Sequence, residues 1–325
     1  MKPLGRTGTT LSALGLGCVT FGREIDEYTA FQIMDYAFEK GITFFDTAEG
    51  YGGGQSKANR KILLDMDDQR EVTTEISSSE RIVGDWIRSR DCRHHITLCT
   101  KISTGGHRHN IHKALNGSMK RLKTEYVDIL KMHSYDYDVP LQETLETLSE
   151  TIEDNKVRVL GCSNYSAGQL QNALDISSIE GYHRFEVIQP SYNLVSREIE
   201  TELLPLCKMQ NISVTTYSPL AAGFLTGKYT RDRHLIPGGT RFDIAPSHID
   251  LYFSERNFRI MATLQKKSNE LNISVTRLAY AWTMSNTDVT SVIVGARNTD
   301  HIDNALAGYH NGIGTQLRNE MSSWE

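Results

Sequence analysis

Short apolar runs alternate along the chain with longer stretches in which apolar residues recur at helical spacing. Leu4 to Leu14 mixes apolar and turn residues and predicts a small hairpin with Gly8 in its turn. Leu14-Gly15-Leu16-Gly17-Cys18 reads as a first buried strand that ends in a loop. Phe31, Met34, Ala37 and Phe38 share one face of a predicted helix over 27–40, which Gly41 stops. Thr43-Phe44-Phe45-Asp46 forms a second strand and runs into the Gly-rich turn Gly50-Tyr51-Gly52-Gly53-Gly54. Further strands are predicted at 96–101, 127–133, 157–163, 186–189, 212–217 and 291–295. Helices are predicted from 79, over about 110–123, from Pro140 to about 155, and over 166–175, 198–210, 255–271, 275–286 and 299–308. Proline is well accepted in a first helical turn.

Two segments interrupt this rhythm. Residues 55–76 are polar and charged, and read as a loop inserted after the tyrosine turn. Residues 218–253 read as a long Gly/Pro-bearing loop, and the polar tail after Gly312 is expected to fray. Eight strands in βα order call for a parallel sheet, and eight such repeats suit a closed barrel. The expectation is an α/β fold, a (β/α)8 TIM barrel with an N-terminal β-hairpin. Residues 1–325 form a single domain, and 55–76 lie at its active-site face.

Composition narrows the partners. Hydrophobic content of 39% and charged content of 23% fit a globular protein with a substantial core. A formal net charge of −5 argues against nucleic acid, which favours a basic face. No apolar run approaches the roughly 20 residues that span a membrane, so no membrane contact is expected. The five scattered cysteines form no C-x-x-C and read as reduced thiols of a cytoplasmic protein.

Several motifs are excluded. Gly15-Leu16-Gly17-Cys18 lacks the third glycine and the following helix of a Rossmann fingerprint. Gly227-Lys228 lacks the rest of a P-loop. His107, His109 and His112 have no nearby cysteine or carboxylate to complete a zinc site, so no metal is expected.

The informative residues stand at strand ends. Parallel α/β proteins carry their chemistry at the carboxyl ends of the strands. There the second strand has Asp46 with Tyr51 in the next loop, the third has Lys101, and the fourth has His133. A phenol with its ordinary pKa near about 10 is a weak acid catalyst at neutral pH. An adjacent ammonium favours the phenolate and is expected to lower that pKa. A carboxylate keeps the lysine charged, and a histidine can hydrogen-bond a carbonyl oxygen. Such a set can protonate a developing alkoxide while hydride arrives from a carrier.

In these residues the chain resembles the aldo-keto reductases. Phe44-Phe45-Asp46-Thr47-Ala48, Gly50-Tyr51-Gly52, Thr100-Lys101 and Met132-His133 are similar to that family's Asp, Tyr, Lys and His tetrad. Gly161-Cys162-Ser163-Asn164, Gln189-Pro190-Ser191-Tyr192-Asn193, Tyr217 to Tyr229 and Val292 to Asn298 are similar to its cofactor-binding segments. The Gly-Ala-Arg-Asn ending is similar to bacterial reductases and to β-subunits of voltage-gated potassium channels. The resemblance implies bound NADP(H) and reversible carbonyl reduction. Asp46, Tyr51, Lys101 and His133 would be catalytic. Gly17, Cys18, Val19, Ser163, Asn164, Gln189, Tyr217, Ser218, Pro219, Leu220, Ala222, Gly223, Lys228, Arg241, Gly295, Arg297, Asn298, His301 and Asn304 would hold the cofactor. Tyr217 would stack on the nicotinamide, and Arg297 with Asn298 and His301 would meet the 2′-phosphate.

Three departures stand out. Cys18-Val19 replaces the family's frequent Thr-Trp, and Asn304-Ala305 replaces its Glu-Asn. Residues 55–76 intervene where the family passes directly from the tyrosine loop to a helix, and are expected to fold over the mouth. The expected partner is a small carbonyl or alcohol, such as a sugar-derived ketone, with a homo-oligomer left open. Two alternatives stay open: an NADPH-binding regulatory module with slow turnover, and a redox-neutral epimerase or lyase.

Overall fold

The computed structural model describes residues 1–325. The hairpin strands β1 (Lys2–Pro3) and β2 (Thr10–Leu11) pair antiparallel. The barrel then runs through β3 (Leu14–Gly17), α1 (Glu27–Glu39), β4 (Phe44–Asp46), α2 (Gln55–Leu64), α3 (Ser78–Arg90), β5 (Thr97–Ile102), α4 (Arg108–Leu122), β6 (Val127–Met132) and α5 (Leu141–Glu153). It continues with β7 (Val157–Ser163), α6 (Ala167–Glu180), β8 (Val187–Gln189), α7 (Leu203–Gln210), β9 (Ser213–Thr216), α8 (Arg241–Ile244) and α9 (Ile249–Tyr252). It ends with α10 (Glu255–Leu271), α11 (Val275–Met284), β10 (Ser291–Gly295), α12 (Thr299–Asn311) and α13 (Thr315–Ser322). β3 to β10 close in chain order into an all-parallel barrel of eight strands, because β10 pairs with β3.

Strand periodicity sorts the side chains. Residues of one parity point into the barrel and the others face the helices. Phe44, Cys99, Ile129, Val159, Val187 and Ile293 form an apolar cluster that Leu4 and Leu11 of the hairpin complete. The hairpin is fastened there by Gly5 N–H to Ser213 Oγ (2.8 Å) and by Lys2 Nζ to the Val289 carbonyl (2.6 Å). Gly15 is required beside this cluster, since a Cβ there would lie 2.5 Å from the Phe44 ring.

Five expectations are corrected. The 55–76 segment is not a plain loop: it contains α2 and is anchored by a buried arginine. Arg60 donates to Asp68 Oδ1 (3.0 Å), Glu71 Oε2 (2.7 Å) and the Ile244 carbonyl (2.6 Å). With the Asp68 carbonyl (3.0 Å) these acceptors satisfy the guanidinium and make a packed element of a sequence with few apolar residues. The tail after Gly312 does not fray. It folds as α13, buries Met321 and accepts the Trp282 indole N–H at Ser322 Oγ (3.0 Å). The predicted helix over 198–210 is a 3-10 turn (Glu198–Glu200) followed by α7, and α6 runs on to Glu180. Residues 218–253 are not featureless, because α8, α9 and three 3-10 turns lie within them.

Candidate active site

The tyrosine loop is held by its neighbours. Tyr51 N–H donates to the Ala48 carbonyl (3.0 Å), and Ser79 N–H at the start of α3 donates to the Tyr51 carbonyl (3.3 Å). Thr47 Oγ1 and Ser79 Oγ lie 2.9 Å apart beneath it. Gly53 lets the inserted segment pass, because a Cβ there would sit 1.8 Å from the Thr73 carbonyl oxygen.

The four strand-end residues meet at one end of the barrel. Lys101 Nζ donates to Asp46 Oδ2 (2.6 Å), to the Thr47 carbonyl (2.7 Å) and to Tyr51 Oη (3.4 Å). The His133 ring lies edge-on to the Tyr51 ring, with centroids 5.4 Å apart. His133 N–H donates to the Ile102 carbonyl (3.0 Å), and its Nδ1 is 2.8 Å from Ser103 Oγ. Ser103 is fixed in turn by its N–H to Glu49 Oε2 (3.0 Å).

Burial dominates the electrostatics. It would push the Asp46 carboxyl up, but Lys101 and Lys131 together with hydrogen bonds from Lys101 and Gln189 hold it below the usual range. Burial would likewise depress Lys101, yet Asp46 and Tyr51 keep its ammonium well above the ordinary lysine range. His133 is pushed down to about 4 by burial and by the charge of Lys101, so its imidazole is neutral at physiological pH. The Tyr51 phenol corrects an expectation. Burial raises it above its ordinary value, and the neighbouring Lys101 offsets only part of that rise.

Sequence reasoning missed Ser103 beside His133 and Lys131 below the tetrad, and it expected Gln189 at the cofactor, whereas Gln189 is buried beneath Asp46. Lys131 is fully buried and donates to Gln189 Oε1 (2.8 Å) and Thr215 Oγ1 (3.0 Å). Gln189 Nε2 donates to Asp46 Oδ2 (3.1 Å), so the Gln189 amide braces the carboxylate from beneath. The signal was parity: Lys131 precedes His133 by two and faces the same way. Ser103 carried no such signal.

A second cluster lies where the cofactor residues were expected. Glu24 is buried and takes Arg23 (2.7 Å) and Arg241 (2.8 Å) at Oε1, while Arg297 Nε stands 3.9 Å from Oε2. Lys228 is close enough to feel Arg297 and Glu24; burial depresses its ammonium, as does Arg297. Ser218, Ala221, Ala222 and Gly223 all have positive φ (56°, 50°, 55° and 94°). Non-glycine residues seldom hold such angles, and successive turns of this kind form concave sets of N–H groups that bind anions. Arg23 Nε and Ser191 Oγ are buried without a partner.

The other expected positions divide between mouth and frame. Asn164 is exposed at the mouth, receives the Tyr217 hydroxyl at Oδ1 (2.8 Å) and donates to the His133 carbonyl (2.9 Å). Val19, Leu220 and His301 are half-buried, Gly295 and Asn298 are exposed, and Asn298 caps α12 by accepting from His301 N–H. Pro219 is buried. Gly17 and Cys18 are buried, and Cys18 N–H donates to the Asp46 carbonyl (2.9 Å). Ser163 is buried with its hydroxyl on the Gln189 carbonyl (2.7 Å). Asn304 is occupied by Arg277 Nε (3.1 Å) and by its own helix.

Comparison with known proteins agrees with this geometry. Residues 13–313 match the model of the Aldo/keto reductase family. A probable voltage-gated potassium channel subunit beta of Oryza sativa subsp. japonica is 32% identical over 314 residues, spanning 93% of this chain and 88% of that protein. The uncharacterized oxidoreductase YrpG of Bacillus subtilis is 29% identical over 320 residues, spanning 93% and 89%. Versiconal hemiacetal acetate reductase of Aspergillus parasiticus is 27% identical over 328 residues, spanning 94% and 90%. With a closed parallel barrel, an Asp-Tyr-Lys-His cluster at its mouth and a family match over nearly the whole chain, this protein belongs to the aldo/keto reductase family.

Proposed function

We propose that the protein is an NADP(H)-dependent oxidoreductase that reduces an aldehyde or ketone to an alcohol. One observation carries the reading: the Lys101 ammonium stands between Asp46 and the Tyr51 hydroxyl, with a neutral imidazole beside the phenol. The residues fit the cofactor. Lys228, Arg241 and Arg297 bring three cations to a cluster that holds one carboxylate, Glu24, beside strained backbone suited to phosphate. Tyr217 and Asn164 stand at the mouth between that cluster and His133.

When bound, the reduced nicotinamide supplies a hydride to the carbonyl carbon. Tyr51 Oη then transfers its proton to the carbonyl oxygen and keeps the O–H electron pair as phenolate. Lys101 stabilises that phenolate, and Asp46 holds Lys101 charged and in place. With Ser103 Oγ–H donating to Nδ1, His133 carries its proton on Nε2 and donates it as a hydrogen bond to the same oxygen. The low ionisation of His133 keeps this neutral tautomer available across the physiological range.

The test is a panel of carbonyls followed by NADPH absorbance, on wild type and Tyr51→Phe. Loss of a general acid lowers turnover by about 10²-fold or more while cofactor binding survives. Full activity in Tyr51→Phe overturns the assignment. A second reading, a cofactor-holding regulatory module, draws on the relatives named as potassium channel β-subunits. It is favoured if bound NADPH is consumed slowly with every carbonyl class in single turnover.

A further inference from the structure

The base of the site contains one carboxylate and two ammonium groups. Lys101 on β5 and Lys131 on β6 are direct register partners, so both side chains enter the barrel at one level. Both are essentially fully buried. Like charges opposite one another destabilise a sheet, and a fold that keeps such a pair needs another reason for it.

The surroundings are shaped for Lys131. Its neighbour across β7 is Gly161, where a Cβ would lie 3.1 Å from Lys131 Cγ and 2.6 Å from Val187. Its ammonium has two neutral acceptors, Gln189 Oε1 and Thr215 Oγ1, and lies 5.5 Å from the Phe44 ring centre. Its one carboxylate contact is Asp46 Oδ1 at 3.7 Å, an oxygen with no hydrogen bond of its own. The other Asp46 oxygen is taken by Lys101 and Gln189.

The facing groups can be counted. Cys18 just after β3 and Cys99 on β5 are held as neutral thiols by burial, Cys99 pushed up to about 12. His133 beyond β6 is neutral, Gln189 on β8 and Thr215 on β9 carry no charge, and Tyr51 is a phenol above its ordinary range. Asp46 on β4 is the anion in contact with both lysines. Arg23 from the β3–α1 loop also acts on the phenol, but its own carboxylate is Glu24.

We propose that Lys131 is a positioning residue of the reaction: it takes up the second oxygen of Asp46 and leaves the buried base one positive charge in excess, discharged only when Tyr51 releases its proton. This role rests on the carbonyl-reductase reading above. The Tyr51 O–H bond breaks as the substrate O–H bond forms, and the phenolate left behind brings two anions to two cations. Without Lys131, Asp46 bears on Tyr51 with its full charge and opposes that step.

Lys131→Gln keeps an amide for Gln189 and Thr215 and removes the charge; Lys131→Met removes both. Tyr51 ionisation is read by ultraviolet difference titration, each protein minus its Tyr51→Phe counterpart, with no turnover needed. In both Lys131 variants it moves up by about one pH unit, because Asp46, freed of Lys131, acts on the phenol with its whole charge. The high-pH limb of carbonyl reduction moves up with it, and kcat at neutral pH falls about tenfold. An unchanged titration in folded Lys131→Gln overturns the proposal, whereas a fully active Tyr51→Phe overturns the underlying function instead. Nitrogen NMR of the lysine side chains in the wild type gives a check that needs no variant. Two protected ammonium signals at neutral pH are expected, and a neutral Lys131 amine overturns the inference.

Discussion

Replacing Arg60 by methionine tests how the 55–76 segment is held. The guanidinium has no exposed surface, and neither does its partner carboxylate on Glu71. It spans the turn from α2 to Asp68 and Glu71, and crosses to the Ile244 carbonyl at the end of α8. Arg70 reinforces the crossing by pairing with Asp243. Once Arg60 is gone, Glu71 keeps one N–H donor, that of Lys57 (2.8 Å). A buried ion left without its partner costs about 3–5 kcal/mol.

That cost falls on the segment rather than on the barrel, because local opening limits what a local element can lose. Hydrogen exchange followed by mass spectrometry is the assay. Protection over 55–72 is expected to fall by about 10² to 5 × 10³, the factor that corresponds to 3–5 kcal/mol, while β3 to β10 keep theirs. Exchange over 241–252 rises too, since Ile244 loses its donor. Arg60→Met with Glu71→Leu removes both charges and restores most of the protection, as replacement of whole buried pairs does. Unchanged exchange in the single variant, or no recovery in the double, refutes the account.

Two further predictions concern the cofactor cluster and acid. Arg297→Leu should reduce the preference for NADPH over NADH, measured as a ratio of kcat/KM, by about 10- to 100-fold, the value of a charge-assisted bond of about 1.5–3 kcal/mol; equal loss with both cofactors would place Arg297 away from the 2′-phosphate. Stability to urea should decline as pH falls from about 6.5 towards about 4, because unfolded His133 binds a proton in that window and folded His133 does not. His248 and His301, both pushed down by burial, add in the same direction. A His133→Phe variant with an undiminished pH slope would remove His133 from the account.

The barrel strands were legible because each is a short apolar run whose two faces are both covered, and Asp46, Lys101 and His133 were legible as polar residues ending such runs. α2 was hidden because its polarity is inverted: Arg60 is buried while Ile62 and Leu63 are exposed. No hydrophobic period marks a helix held by a buried guanidinium, and Ile244 is 184 residues away. α13 was hidden for a similar reason, since only Leu317, Met321 and the Ser322 hydroxyl anchor a helix whose remaining residues are polar. Lys131 could be read by parity from His133. The direction of the Tyr51 shift could not, because it depends on how completely the fold removes water, and here burial outweighs the lysine.

That dryness links the lower barrel to the chemistry above it. Phe44 and Cys99 belong to the apolar cluster capped by Leu4 and Leu11, and stand one strand step before Asp46 and Lys101. Water is therefore kept from the charged layer on its lower side. In so poorly screened a place, a charge imbalance of one unit acts strongly on its neighbours. Its relief has few routes: the thiols of Cys18 and Cys99 are too weakly acidic to ionise, and His133 is already neutral. Tyr51 touches both the lysine and the open mouth, so it is the group whose proton can leave towards a substrate. The apolar plug thus directs the buried charge at the one acid that faces the mouth.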